Sequence, residues 1–317
     1  MKYFIKLIRL PNLLIIALTA YLIRFCVIAP LIELHFFQLQ MAEIDFFLFV
    51  FSIMLLTAGG YVINDYFDTK TDFLNRPNTV IVGKHIERRS AIAIHIVFNV
   101  IAIILGFYVA YKVGNISYGI PFLFVSGILW FYSSVYKRQF LLGNIIVSVL
   151  GGLLPLAVAI AEIPLLEEKY SAILFRQQFD LKYLYFWILG FSFFAFISTL
   201  IREIVKDIED FEGDEAYGRN TLPIVLGIFY SKLVVIALIV ITILSLIYVS
   251  VIYLPDYYTI SYFSVTIIIP FLVAVFLLFR ADNKRDYHII STLIKIIMLA
   301  GILYAPVVWY LIKVAFM

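Results

Sequence analysis

Two short acidic segments of this sequence repeat one spacing of aspartates. The first reads Asn64-Asp65-Tyr66-Phe67-Asp68-Thr69-Lys70-Thr71-Asp72, and the second reads Asp207-Ile208-Glu209-Asp210-Phe211-Glu212-Gly213-Asp214. Each segment places aspartates at positions i, i+3 and i+7, which share one face of an α-helix. We therefore expect each segment to present three carboxylates together, with the Asn64 amide at the edge of the first set.

Carboxylates gathered in a partly desolvated space repel one another, and bound divalent cations remove that cost. Mg²⁺ prefers oxygen ligands and usually combines a few carboxylates with the phosphates of a substrate. If the two segments face each other across a helical bundle, a diphosphate that bridges their metal ions is the simplest occupant. The alternative is that acidic residues merely flank helix ends near water, which explains one segment better than two segments with matched spacing.

The composition indicates that the elements carrying these segments lie in a membrane. The 317 residues are 64% hydrophobic and only 14% charged, and their mean hydropathy is +1.03. Soluble proteins are about 45–50% apolar, so a soluble fold of this length cannot hide so much apolar surface. Cys26 is the single cysteine, which excludes an intramolecular disulfide and a cysteine-based metal site.

The apolar runs predict an all-α, polytopic membrane bundle of about nine transmembrane helices, because each span needs roughly 20 mostly apolar residues. The predicted spans are 12–32, 46–63, 91–111, 117–134, 141–161, 183–201, 233–253, 260–279 and 289–312. The connections 64–90 and 202–232 are long, and 162–182 is interpreted as an exposed outer connection. We expect one membrane-embedded domain over residues 1–317.

The distribution of Lys and Arg predicts the orientation in the membrane, since cytoplasmic connections are enriched in these residues. One set of connections, together with the N-terminus, carries 17 of them and the opposite set carries 5. We therefore expect a multi-pass protein of the inner cell membrane with a cytoplasmic N-terminus and an outer C-terminus. Both acidic segments follow a span on the cytoplasmic side, so the active site is expected there.

At these residues the sequence resembles the UbiA superfamily of membrane prenyltransferases. Asn64-Asp65-x-x-Asp68-x-x-x-Asp72 resembles the first motif of that family, and Asp210-x-x-x-Asp214 resembles the second. Three smaller elements also match: Asn75-Arg76-Pro77, Tyr132-Ser133-Ser134-Val135-Tyr136-Lys137 and Gly218-Arg219-Asn220-Thr221-Leu222-Pro223. Many members carry a second Arg-Pro pair where this chain reads Asn78-Thr79-Val80-Ile81-Val82-Gly83-Lys84, and Lys84 is a candidate to replace the missing cation.

The resemblance implies a Mg²⁺-dependent enzyme that transfers a prenyl group from an allylic polyprenyl diphosphate to a lipid-soluble acceptor. It implies catalytic and metal-ligating roles for Asp68, Asp72, Asp210 and Asp214, and a metal-ligating role for Asn64. Asp65 and Asp207 are expected to be metal ligands or their supports. The candidate substrate-binding residues are Asn12, Arg76, Lys84, Tyr132, Lys137, Arg202, Lys206 and Arg219. The basic residues among them have an alternative role as anchors at the cytoplasmic face, and Asn12 as a polar contact between helices.

Residues 206–214 look most like the digeranylgeranylglyceryl phosphate synthase branch of the superfamily, which implies a prenylglyceryl phosphate as the acceptor. The quinone-pathway branch, which prenylates hydroxybenzoate or dihydroxynaphthoate, is the alternative. Membrane lipid is an expected partner and nucleic acid is not; the oligomeric state is left open.

Two non-enzymatic classes of membrane protein fit the sequence less well. A transporter holds its key charges near the middle of the bilayer, whereas here the acidic residues lie at helix ends and the spans carry few charges, Arg24 and Lys295 being the exceptions. A scaffold protein leaves the paired acidic segments unexplained.

Overall fold

The computed structural model describes residues 1–75, 77–177 and 180–315, and the regular elements in these ranges are helices. The helices are α1 (Lys2–Leu7), α2 (Leu10–Leu22), α3 (Ala29–Glu33), α4 (Glu43–Asn75), α5 (Arg88–Lys112), α6 (Ile120–Ser134), α7 (Leu142–Gln177), α8 (Lys182–Glu209), α9 (Phe211–Ala216), α10 (Leu222–Leu226), α11 (Ile228–Ile252), α12 (Tyr257–Phe263), α13 (Ile269–Arg280), α14 (Lys284–Ile302) and α15 (Tyr304–Ala315).

Within the described ranges, nine helical segments are long and apolar enough to cross a membrane, as the sequence predicts. A π-helical turn, Ile23–Ile28, joins α2 to α3 in the first of them. The predicted all-α, polytopic membrane fold is confirmed.

The prediction of an exposed connection at 162–182 is wrong for most of its length, because α7 continues to Gln177. Glu162 lies inside this helix and is almost fully buried. Its carboxylate accepts hydrogen bonds from the backbone N–H groups of Gln40 and of Met41, the latter at 3.1 Å. Burial of a charged group is tolerated when hydrogen bonds compensate it, and this compensation is not visible in the hydropathy of the segment.

The chain divides into two compact units. The first contains Met1–Tyr21, His35–Lys137 and Val158–Leu181, and the second contains Leu22–Leu34, Arg138–Ala157 and Lys182–Met317. The first acidic segment lies in the first unit, and the second acidic segment lies in the second unit. The single domain expected over residues 1–317 stays a prediction.

In the first unit, α4 packs closely against α5 around a glycine. A Cβ atom on Gly59 would lie 2.7 Å from the Asn99 amide nitrogen, so any larger residue would have to displace this buried side chain. His95 Nδ1 lies 2.9 Å from the Gly59 carbonyl oxygen, and its buried ring is a polar link between the two helices. This contact fixes the part of α4 that precedes the first acidic segment.

In the second unit, α8 buries one apolar face against α14. Ile201, Ile204 and Ile208 on α8 share a core with Ile290 and Ile294 on α14. The spacing of three and four residues on α8 places these side chains on one helical face. The face extends to the end of α8, so the core fixes the helix end that carries Asp207.

Candidate functional site

The first acidic segment lies in the last turns of α4, on one continuous helix as predicted. Asp68 is buried, and Asn64, Asp65 and Asp72 are half-buried. Lys137, in the 3₁₀ turn Tyr136–Arg138 after α6, donates a hydrogen bond to the Asn64 side-chain oxygen at 3.0 Å and another to the Asp68 carboxylate. Oxygen atoms from two side chains one turn apart therefore converge on one cationic group.

Asp65 has a different partner. Arg9 Nη2 donates to Asp65 Oδ1 at 2.8 Å, and the Arg9 guanidinium lies over the Tyr61 ring, 4.7 Å from its centroid. The Asn12 amide donates to the Tyr61 hydroxyl at 3.4 Å. In the sequence Arg9 is one of the 17 Lys and Arg residues in the connections predicted to be cytoplasmic, and nothing beyond its position just before the first span sets it apart.

The second acidic segment is divided between two helices rather than lying on one continuous helix, and the shared face of its aspartates stays a prediction. Helix α8 ends at Glu209, Asp210 lies at the junction, and Asp214 belongs to the short helix α9. Asp210 occupies the N-cap position of α9, but its side chain makes no capping hydrogen bond. The backbone N–H groups of Asp210 and Asp214 donate to the carbonyls of Lys206 and Asp210, four residues earlier, so helical hydrogen bonding continues across the break.

Polar partners hold both ends of the second segment. The Asn144 amide, in the first turn of α7, donates to Asp207 Oδ2 at 2.8 Å. Arg219 Nη1 lies 3.3 Å from Asp214 Oδ1, and the Arg219 backbone N–H donates to the Asp214 carbonyl at 2.9 Å. The Arg219 side chain is only 7% exposed. A guanidinium buried on a carboxylate is not an ordinary surface anchor.

The other predicted site residues are spread more widely. Arg202 and Lys206 both contact Glu203 on α8, at 3.3 Å and 2.8 Å. Lys84 is exposed in the connection after α4, and Tyr132 is half-buried on α6. Arg76 lies outside the described residues.

The residues of the first segment fit Mg²⁺ as a small oxygen donor set. No three Asp, Glu, His or Cys side chains of the described residues are arranged as a metal cage. Mg²⁺ does not need one, because it is usually held by one or two carboxylates together with waters and substrate phosphates. Asn64 and Asp68 already direct oxygens at one cationic group. That both segments bind one diphosphate together stays a prediction.

The nine long apolar helical segments found among the described residues define a multi-pass α-helical membrane protein. Residues 13–312 match the UbiA prenyltransferase family, and the chain belongs to that family. The family resemblance inferred from the motifs is thereby confirmed, and it is incompatible with the transporter and scaffold alternatives.

Two of the similar proteins carry the same name. The chain is 35% identical over 189 residues to the digeranylgeranylglyceryl phosphate synthase of Methanothermobacter thermautotrophicus, a stretch that covers 59% of this chain and 58% of that one. It is 30% identical over 247 residues to the synthase of the same name from Methanosphaera stadtmanae, which covers 78% and 81% of the two chains.

Solved structures share the fold. A structure from a study of digeranylgeranylglyceryl phosphate synthase in membranes aligns with a TM-score of 0.63 at 22% identity, covering 96% of this chain and 98% of that chain. A UbiA homologue from Archaeoglobus fulgidus bound to DMAPP and Mg²⁺ aligns with a TM-score of 0.57 at 18% identity, covering 96% and 99%.

Proposed function

We propose that this chain is a Mg²⁺-dependent prenyltransferase that joins a polyprenyl diphosphate to a prenylglyceryl phosphate. The allylic C–O bond breaks and the diphosphate leaves with the electron pair. A new C–O bond forms to the acceptor hydroxyl, whose proton is released. The observation that carries the proposal is the convergence of Asn64, Asp68 and Lys137 at the end of α4, in a chain that belongs to a prenyltransferase family.

The polar groups suit the departure of a diphosphate. Mg²⁺, when bound, neutralises charge that develops on the leaving group. We propose that Mg²⁺ is held from Asn64, Asp68 and Asp72 and from Asp210 and Asp214. Lys137 and Arg219 are cations that already lie beside these carboxylates, and each could contact a phosphate oxygen of the bound diphosphate. A homologue of known structure was solved with DMAPP and Mg²⁺ bound, which supports this choice of donor and metal.

The choice of acceptor rests on charge and on the named relatives. A prenylglyceryl phosphate brings a second phosphate beside the donor diphosphate, so its site needs additional cations. Lys84, Lys137 and Arg219 are proposed for that task, and Asn12, Tyr132, Arg202 and Lys206 are retained as further substrate-binding candidates. The relatives named digeranylgeranylglyceryl phosphate synthase support this branch. Membrane lipid is the proposed environment for both substrates.

We propose that the N-terminus and the active site face the cytoplasm and that the C-terminus lies outside. The bias of 17 to 5 in the Lys and Arg of the connections supports this orientation.

Mass spectrometry of the reaction products tests the proposal. Purified protein is incubated with Mg²⁺, polyprenyl diphosphates of several lengths, and a panel of acceptors that contains a prenylglyceryl phosphate, 4-hydroxybenzoate and a dihydroxynaphthoate. The expected product is the glyceryl phosphate with a second prenyl ether. Product with an aromatic acceptor alone would move the chain to the quinone branch, and the absence of any prenylated product would reject the proposed activity.

A further inference from the structure

The helices that approach the two acidic segments begin in the same way. Helix α2 begins directly after Arg9, whose backbone φ is +51°, and α7 begins directly after Leu141, whose φ is +57°. Only three non-glycine residues of the described ranges have a positive φ, and this conformation is uncommon for side-chain-bearing residues. In both helices the third residue is asparagine, Asn12 in α2 and Asn144 in α7.

These helix starts contact equivalent positions of the acidic segments. Asn144 donates to Asp207, the first aspartate of the second segment, at 2.8 Å. In the other unit Arg9 donates to Asp65, the first aspartate of its segment, at the same distance. Asn12 contacts Tyr61, which lies one turn before Asp65 on α4. In both units, therefore, a residue at the start of one helix donates a hydrogen bond to the first of the three aspartates of an acidic segment.

The contacts of the first aspartates are built differently from that of Asp68. The Arg9 guanidinium pairs with Asp65 and lies over the Tyr61 ring, 4.7 Å from its centroid. Asn144 is a buried, neutral donor, 8% exposed. Lys137, by contrast, is an ammonium on a flexible four-carbon stem, and it bridges two oxygen donors, Asn64 and Asp68. A cation that bridges two oxygens occupies the position that a metal ion bound to both would take, whereas Arg9 and Asn144 each donate to the first aspartate of an acidic segment.

We infer that Asp65 and Asp207 are positioning residues rather than metal ligands, and that Arg9 and Asn144 fix them. The Arg9–Asp65 contact and the Asn144–Asp207 contact each hold in place the helix end that carries the later aspartates of that segment. Arg9 and Asn144 then become functional residues, acting through the carboxylates they hold. The inference rests on the proposed function in one respect, that the later aspartates and Asn64 bind a divalent metal.

Metal binding tests this inference without any turnover. The probe is Mn²⁺ in the presence of inorganic diphosphate, added to the full-length protein in detergent, with unbound Mn²⁺ measured by electron paramagnetic resonance. The variants Asp65→Asn and Asp207→Asn keep an oxygen that can accept from Arg9 or Asn144. We expect both to bind Mn²⁺ within about threefold of the wild type, and Asp68→Asn to bind at least roughly tenfold more weakly.

A reciprocal exchange adds a sharper comparison. Asn144→Ala removes the donor and should weaken Mn²⁺ binding by roughly tenfold, as is typical when a partner of a metal-site residue is lost. The double variant Asn144→Asp with Asp207→Asn restores the hydrogen bond in the opposite direction at unchanged charge. It should recover wild-type affinity to within about threefold, whereas the loss of a carboxylate ligand at position 207 would leave binding as weak as in Asp68→Asn.

The outcomes distinguish a failure of the positioning role from a failure of the proposed function. If the wild type binds neither Mn²⁺ nor diphosphate, the proposed function fails. If the wild type binds Mn²⁺ but Asp65→Asn and the double variant are as weak as Asp68→Asn, the positioning role is wrong and the proposed function stands. Thermal unfolding of each variant in the same detergent, with EDTA, confirms that a weak variant is folded.

Discussion

The Lys137 ammonium group contacts two oxygen donors of the first acidic segment, the Asn64 amide oxygen at 3.0 Å and the Asp68 carboxylate. The Asp68 side chain is 6% exposed and the Lys137 side chain 25% exposed. Lys137 therefore neutralises a carboxylate that has little access to water. Under the proposed function, a divalent ion bound between the same oxygens would neutralise Asp68 in place of Lys137.

The first prediction concerns the replacement of Lys137 by a divalent ion beside Asp68. Lys137→Met leaves a buried carboxylate without its cation, which should lower the free energy of unfolding in EDTA by roughly 1–3 kcal/mol. Saturating Mg²⁺ should recover most of the loss, because the ion replaces the missing charge. Thermal unfolding in detergent, with EDTA and with Mg²⁺, measures both effects. Lys70→Met, an exposed position on the same helix as Asp68, is the control. If Lys137→Met loses as much unfolding free energy in Mg²⁺ as in EDTA, Mg²⁺ does not replace Lys137 beside Asp68.

The second prediction concerns the dependence of activity on the metal. Turnover should stop in EDTA and return with added Mg²⁺. Asp68→Ala and Asp210→Ala should each abolish turnover while the protein stays folded, because each removes a proposed metal ligand. Glu215→Ala, an exposed acidic position five residues after Asp210, should keep wild-type activity. Normal turnover in either aspartate variant would remove that carboxylate from the mechanism.

The third prediction concerns Arg219 and the acceptor. Arg219→Gln should raise the apparent KM for the prenylglyceryl phosphate and lower kcat, with a combined loss in kcat/KM of roughly a hundredfold, because a preorganised cation beside a phosphate is removed. Arg138→Gln, at an exposed position, should change kcat/KM little. Steady-state kinetics with varied acceptor measures the effect. An unchanged acceptor KM in Arg219→Gln would leave Arg219 as a partner of Asp214 alone.

The fourth prediction concerns orientation in the membrane. In a Cys26→Ser background, single cysteines are placed at the exposed positions Lys70, Tyr217 and Ser171. The neighbouring Thr71 is buried and unsuitable for labelling. Positions 70 and 217 should react with an impermeant maleimide only from the cytoplasmic side, and position 171 only from outside. Labelling of position 70 from outside would invert the proposed orientation.

The fifth prediction concerns packing between α8 and α14. A Cβ atom on Gly301 would overlap the Phe194 ring, so Gly301→Ala should destabilise the protein by roughly 1–3 kcal/mol through overpacking. Gly190 lies in α8, the helix that carries Phe194, and a Cβ atom on Gly190 would have no neighbour within 4 Å. Gly190→Ala should instead stabilise the protein by roughly 0.5–1 kcal/mol, since alanine is the better helix former. Thermal unfolding of the two variants side by side checks the opposite signs.

The sequence predicts the nine spans well because hydropathy is averaged over about 20 residues and tolerates local error. It does not predict the ends of the helices. Helix α7 continues through a segment that carries Glu162, because backbone N–H groups distant in sequence compensate that carboxylate. The break at Asp210 is one residue with φ −97° and ψ 11°, and no residue type in the segment marks it.

Individual site contacts are predictable to different degrees. Lys137 is a candidate from the sequence because it lies in a matched element, and the structure brings it to Asn64 and Asp68. Arg9 and Asn144 are not candidates from the sequence, because their contacts depend on two left-handed residues and on the approach of helices far apart in sequence. Neither a backbone dihedral angle nor a tertiary approach is encoded in a local pattern of residue types.

Helix α4 has 33 residues, which corresponds to about 50 Å at 1.5 Å per residue, whereas the hydrocarbon core is about 30 Å thick. If the span begins near Glu43, roughly 20 residues cross that core, and Asn64 to Asp72 are expected at the depth of the lipid headgroups. The proposed polyprenyl donor and lipid acceptor would both reach this level by lateral diffusion. Their effective concentrations are therefore surface mole fractions, and rates in mixed micelles should fall on dilution with inert lipid at constant bulk concentration.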